Sequence, residues 1–325
     1  MCEVHSKYRG NTPKMKRLMP LGIIETVIAS ASSNGLKEII PSTMGEPLLY
    51  PHFKEMVEIV RSNGLKLNIT TNGTFPKLGA TAWGKMLLPH VSDMKISVNG
   101  STKDLNEAIM EGIDHRTQLK NIRDIVSIRD QVRKDINGPP TVTMQVTYMS
   151  SNLADLPHLL ETAIELDLDR FKGHHLWITW PQLKGECLTE TIALRKLWNN
   201  VTRKLHDIAD TKLRPSGEKI KLDNVHDLDV ERIVTRLPED WACPFIGREA
   251  WIAWDGTFNV CCSPDAMRRT LGDFGNVKDR DFMDLWRSPD YEKLITNWGK
   301  YDVCKQCNMR RPVTEINNIS KKRGC

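Results

Sequence analysis

A parallel α/β fold followed by a small metal-stapled domain is what the sequence predicts, on three observations. Short apolar runs alternate with amphipathic helical stretches from residue 20 to residue 180. Polar turns close two of those runs, at Gly45-Glu46-Pro47 and at Thr71-Asn72-Gly73. From Trp241 onward Trp, Gly and Cys become dense, the helical period fades, and four thiols recur at Cys243, Cys261, Cys304 and Cys307.

Residues 20–34 carry Leu21, Ile24, Ile28 and Ala31 at spacings of three and four and stop at Asn34-Gly35, which predicts an amphipathic helix with a glycine stop. The apolar run 36–41 predicts a strand, and the turn Met44-Gly45-Glu46-Pro47 leads into a helix over 53–61 that ends at Asn63-Gly64. A strand over 65–70 runs into Thr71-Asn72-Gly73. Strand 92–98, a charged helical stretch over 105–132, strand 141–148, helix 156–166 and strand 176–180 continue the alternation. In such folds ligands sit at the C-terminal ends of the strands, where Gly45, Glu46, Thr71, Asn72, Ser97 and Thr147 fall on this reading. His174 and His175 stand before the last of these strands and read as strand-entry polar groups, because no third ligand lies at a fixed spacing from them. Trp177 and Trp180 read as core, and Cys187 as an isolated thiol, either inert or facing a ligand.

The organisation expected is therefore a barrel-like domain over 1–185, a charged helical connector over 186–240 broken at Pro215-Ser216-Gly217, and a stapled domain over 241–325. About 85 residues with little aliphatic core need such a staple.

Composition narrows the function classes. The chain has 325 residues with 46 basic and 41 acidic side chains, a net charge of +5 scattered along its length, which does not argue for nucleic acid. Eight cysteines without a charged-then-apolar leader point to a reducing compartment, the cytoplasm by default, rather than to a disulfide scaffold. No apolar run approaches the ~18 residues of a membrane span.

The cysteine spacing carries the chemistry. Cys304-x-x-Cys307 lets two thiolates from one turn face one metal centre, and Cys243 and Cys261 from distant loops complete a four-sulfur set. Thiolate softness leaves zinc and a [4Fe–4S] cluster both open. Cys243-Pro244, then Asp255-Gly256 with Cys261-Cys262, then Leu271-Gly272, Gly275-Asn276, Trp286 and the final Cys304-x-x-Cys307-x-Met309-Arg310 resemble the SPASM/twitch auxiliary-cluster domain of radical SAM enzymes in its single-cluster form. The resemblance implies that Cys243, Cys261, Cys304 and Cys307 bind one auxiliary [4Fe–4S] cluster. Cys261 is preferred to its neighbour Cys262 because the family places a ligand five residues after the glycine, here Gly256.

The N-terminal half resembles the partial (β/α)6 barrel of the same family. Thr43-Met44-Gly45-Glu46-Pro47 stands where the family has Gly-Gly-Glu-Pro, so the resemblance makes Gly45 and Glu46 hold the amino group of S-adenosylmethionine. Ser97, Thr71 and Asn72 would line the same cavity. The family's Cys-x3-Cys-x2-Cys loop binds the radical-generating [4Fe–4S] cluster, and here only its last member is present, as Cys2 in Met1-Cys2-Glu3-Val4-His5. The first barrel strand and two cysteines are then expected upstream of Met1, and a single cysteine cannot hold that cluster.

On this resemblance the intact protein is a radical SAM enzyme. It would reductively cleave S-adenosylmethionine and abstract hydrogen from a peptide or sugar-like small-molecule substrate, with a reductant such as flavodoxin or ferredoxin as partner and neither nucleic acid nor membrane. The alternatives are a non-catalytic relative that keeps the auxiliary metal, a truncated chain inactive on its own, and a zinc-stabilised C-terminal module.

Overall fold

The apolar runs become six parallel strands of one sheet in the computed structural model of the chain, which describes residues 8, 17–41, 45–136, 138, 140–231, 241–305, 307 and 309–314. Cys2 and residues 42–44 lie outside the described residues. The strands are β1 (Glu38–Ile39), β2 (Lys66–Thr71), β3 (Val91–Ser97), β4 (Thr141–Tyr148), β5 (Arg170–His175) and β6 (Lys221–Asp223). The helices are α1 (Leu21–Ser32), α2 (Phe53–Ser62), α3 (Gly79–Leu87), α4 (Lys103–Ile109), α5 (His115–Val132), α6 (Leu156–Glu165) and α7 (Ile192–Thr211). Beyond Trp241 follow β7 (Trp241–Ala242), β8 (Trp251–Ile252), β9 (Phe258–Asn259), α8 (Asp265–Arg268), α9 (Phe282–Trp286), α10 (Pro289–Asn297), α11 (Asp302–Lys305) and β10 (Arg311–Pro312).

Contacts divide the described chain into two units, one spanning 37–231 and the other joining 17–36 to 241–314. The 186–240 stretch thus contributes α7 and β6 to the first unit, where β6 pairs with β5. Helix α1 belongs with the C-terminal residues rather than with the sheet that follows it in sequence.

In the first unit the strand order equals the chain order, as expected when each strand is joined to its parallel neighbour by a crossover of one hand. The alternation of side chains gives the sheet two unlike faces. Leu67, Ile69, Met94, Ile96, Val142, Met144, Val146 and Tyr148 are fully buried on one. The other face carries Asn68, Asp93, Lys95, Ser97, Thr143, Gln145, Arg170, Lys172 and His174, and it is paired internally. Asp93 accepts from the Thr141 and Thr143 hydroxyls at 2.7 and 2.6 Å and from Arg170 at 3.3 Å, while Lys172 lies 3.6 Å from Asp223. Glycine is required where the layers close most tightly: a Cβ on Gly173 of β5 would lie 2.2 Å from the Tyr148 ring.

Besides β6, which lies in the expected helical connector, three elements of the first unit depart from the sequence reading. The strand expected over 176–180 is instead β5, because Arg170, Lys172 and His174 project onto the polar face and hide the strand from an apolar search. The stretch 105–132 is two helices, broken at Gly112 with φ of 87° and restarted by Asp114, whose carboxylate accepts from the Thr117 N–H at 2.7 Å. Helix α3 was not anticipated between β2 and β3; its Gly84 lets α5 come close, since a Cβ there would meet Ile128 at 2.8 Å.

The second unit has an aromatic core of Phe258, Phe274, Phe282 and Tyr291 with Leu285 and Leu294, to which α1 adds Ile23 and Ala31. Ser30 of α1 donates to Asp281 at 2.7 Å and Arg287 donates to Asn34 at 2.8 Å, tying α1 to the helix that starts after Asp281. Among the described residues no helix is long and apolar enough to cross a membrane.

Candidate functional site

In the first unit the polar residues predicted at the strand ends meet around one carboxylate. Gly45 has φ of 102°, a conformation that disfavours a side chain, and delivers Glu46 to the start of the turn Pro47–Leu49. Glu46 accepts from the Thr71 hydroxyl at 2.9 Å, the Asn72 N–H at 2.8 Å and the Leu48 N–H at 3.2 Å. Burial pushes its carboxyl above the ordinary range, and those three donors only partly offset the effect. No Lys, Arg or His pairs with Glu46 among the described residues. A desolvated carboxylate of fixed orientation and without a cation suits an incoming ammonium group.

Thr71 is buried and spends its hydroxyl on Glu46 and on the Gly73 N–H, so it positions the carboxylate rather than lining open space. The Asn72 side chain accepts from Thr74 and shapes its own turn. Ser97 ends β3 on the polar face, and its carbonyl accepts from Gln118 at 2.9 Å.

Sequence reading missed what supports this rim. Gln118 of α5 also donates to the Asn72 carbonyl at 2.6 Å, and Asn106 donates to Gln118 at 2.9 Å. Asn99 accepts from the Thr147 N–H at 2.8 Å, and Asn152 donates to the Asn99 and Thr147 carbonyls. These buried amides lace the ends of β2, β3 and β4 together, a role visible only once the strands are paired.

His174 lies near the C-terminal end of β5 on the polar face, not at a strand entry. Its Nδ1 is 3.2 Å from the Gln145 amide nitrogen. Burial pushes its pKa down to about 4, and the Lys172 ammonium adds to the shift. His174 is therefore neutral at pH 7, with Nδ1 accepting from Gln145. Its ring protons should not titrate by NMR between pH 5 and 8. The unfolded chain takes up this proton near pH 6.5 and the folded one only near 4, so the contribution to stability is full above 6.5 and is lost as pH falls through that window. A midpoint near 6.5 in the folded protein would contradict this. Cys187 is buried, with its sulfur 3.1 Å from the Thr189 hydroxyl, and packs as core.

In the second unit the predicted thiols lie close enough to feel one another's charge. Cys243 follows β7, Cys261 follows β9, Cys304 sits on the single turn of α11, and Cys307 lies just beyond it. Burial pushes Cys304 up to about 12 and Cys307 up to about 11, and the charges of the other thiols in the set push the same way. Cys243 is raised by burial too. Cys261 is held well below the ordinary thiol range, first by a hydrogen bond from Cys262, with Ser263 at 3.3 and 3.4 Å helping. The Met309 N–H donates to Cys307 at 3.4 Å. Cys261 ionises readily beside three thiols that burial holds protonated, and a metal centre would supply the positive charge that favours all four as thiolates. Among the described residues no group of three or more His, Cys, Asp or Glu side chains is set to hold a metal ion.

Comparison with known proteins places both units. Residues 243–308 match the SPASM family, an iron–sulfur cluster-binding domain. The chain is 23% identical over 293 residues to a tungsten-containing aldehyde ferredoxin oxidoreductase cofactor-modifying protein of Pyrococcus furiosus, covering 85% of this chain and 74% of that one. It superposes on Streptococcus suis SuiB bound to S-adenosylmethionine with a TM-score of 0.61 at 17% identity, over 97% of this chain and 70% of SuiB. It also superposes on anSMEcpe with bound AdoMet and Cp18Cys peptide, with a TM-score of 0.58 at 14% identity over 94% and 82% of the two chains. At these identities the structural likenesses establish the fold.

Proposed function

We propose, from the premise that this chain joins the radical SAM fold to a SPASM iron–sulfur cluster-binding domain, that it carries the S-adenosylmethionine and auxiliary-cluster sites of a radical SAM enzyme acting on a peptide substrate, the radical cluster needing two cysteines besides Cys2. The observation that carries the reading is Glu46, a desolvated carboxylate with no cation beside it among the described residues, fixed by Thr71 and Asn72 at the ends of the parallel strands. A radical [4Fe–4S] cluster with S-adenosylmethionine would supply one-electron chemistry able to take hydrogen from a substrate, and Cys2 alone does not hold one.

The chain's own residues bind and orient. Glu46 receives the amino group of S-adenosylmethionine, Gly45 lets the backbone approach it, and Thr71 and Asn72 hold the carboxylate in place. Ser97 faces the cofactor's methionyl or ribose part. The polar face, with neutral His174 and Gln145 beside Lys172, offers hydrogen bonds suited to the amides of a peptide. Cys243, Cys261, Cys304 and Cys307 would hold the auxiliary cluster, which would supply a one-electron acceptor or an anchor for the substrate. Peptide as the substrate class is supported by the peptide bound to anSMEcpe, and an electron donor of the flavodoxin or ferredoxin kind fits the chemistry.

Titrating S-adenosylmethionine into the chain and into Glu46→Gln tests the carrying observation. Loss of a hydrogen bond between charged groups costs about 1.5–3 kcal/mol, so affinity should fall roughly 10- to 100-fold. Equal affinities would remove Glu46 from the site.

A further inference from the structure

We propose that Arg310 is the cationic neighbour of the auxiliary iron–sulfur site and raises its reduction potential by stabilising the reduced cluster over the oxidised one. The inference rests on reading the four thiols as ligands of one cluster. The backbone supplies the geometry. In the antiparallel pair of β7 and β10, Arg311 stands opposite Ala242 and Pro312 opposite Trp241, so the next position along sets Arg310 across from Cys243. Directly opposed residues of such a pair hold their Cβ atoms about 4.5–5.5 Å apart. Cys307 lies three residues earlier, on the turn that the Met309 N–H closes onto its sulfur.

Arg310 is only 7% exposed, yet no carboxylate pairs with it among the described residues. Its Nε is buried with no hydrogen-bond partner, and its guanidinium carbon lies 4.6 Å over the Trp298 ring, which fixes one face and keeps water from it. Burial works against its charge, and the groups that work for it are the thiols of Cys304, Cys307 and Cys243. A buried guanidinium without a carboxylate is costly unless an anion is supplied. Four thiolates around a [4Fe–4S] core supply one in both oxidation states, and a stronger one when reduced. The fixed positive charge therefore favours the reduced form.

The test is a potentiometric titration of the reconstituted full chain with dithionite as reductant, comparing wild type with R310K, R310Q and R310M, and with iron and sulfide counted in each. Expected are neutral variants that keep the cluster but show at least a tenfold shift towards the oxidised form, 59 mV lower for a one-electron couple, while R310K stays close to wild type. Unchanged potentials in the neutral variants would overturn the proposal. Should both neutral variants lose the cluster, R310K decides: a wild-type potential supports the role of the charge, and a fallen one overturns it. Zinc in place of iron in the wild type would instead defeat the cluster reading on which the proposal stands.

Discussion

Cys304→Ala should reduce the iron bound by the reconstituted chain from about four per chain to below one, with loss of the matching sulfide. Cys304 stands on the one-turn helix α11, and it packs with Tyr301 and Val303 against the aromatic core of the second unit. Removing it opens the four-thiol set and takes a half-buried group from the edge of that core. The remaining three thiolates then repel one another without a full complement of metal charge. The second unit should melt earlier than in wild type, although Phe258, Leu285 and Tyr291 still give it a core. Cys187→Ala is the control: that thiol lies in the first unit among core residues, and its loss should leave iron unchanged. Full iron content in Cys304→Ala would contradict the ligand assignment.

Arg129→Ala should destabilise the first unit by about 3–5 kcal/mol, because it strands buried carboxylates. The Arg129 side chain is fully buried on α5 and reaches Asp169 at 2.9 Å, Asp167 at 3.0 Å and Asp130 at 2.8 Å. Asp169 in turn accepts from the Val142 N–H at 2.8 Å, which ties the entry of β4 to that of β5. Arg133 and Arg214 also bind Asp169, so the site keeps cations but loses the one at its centre. The sign with pH follows from Asp167. Burial raises its pKa, but hydrogen bonds from Ser216 and the charges of Arg129 and Arg214 outweigh it and leave the carboxyl below 3.8. The stability gap between wild type and variant is therefore full above pH 3.8 and narrows as pH falls through the depressed folded value. Urea midpoints at neutral and at acid pH measure this, and equal midpoints at neutral pH would contradict it.

Much of this architecture could be read from the sequence where one physical signal dominated. Thr141–Tyr148 was legible to the residue because β-branched and apolar side chains alternate there with polar ones. The four thiols were legible because ligand spacing survives any uncertainty about secondary structure. Strand β5 was not, since its Arg170, Lys172 and His174 belong to a polar sheet face whose pairing partners lie on other strands. The amides Asn99, Asn106, Gln118 and Asn152 were invisible for the same reason: a buried polar side chain is explained by its partners, and those are up to 53 residues away. Arg310 could be named as part of the terminal motif, but its burial with no carboxylate partner among the described residues is a property of the folded unit.

The pairing of α1 with residues after Asp281 could not be read either. Its apolar face predicts a helix that packs, and says nothing about what it packs on. Ile23 and Ala31 find Phe282 and Leu285, residues some 250 positions later.

An iron–sulfur cluster on Cys243, Cys261, Cys304 and Cys307 is the assignment on which the expectations for Cys304 and Arg310 rest. Iron, zinc and acid-labile sulfide per chain, measured after anaerobic reconstitution of the full chain, test it most directly. About four irons and about four sulfides are expected, held by Cys243, Cys261, Cys304 and Cys307. Stoichiometric zinc, or no metal at all, would contradict it.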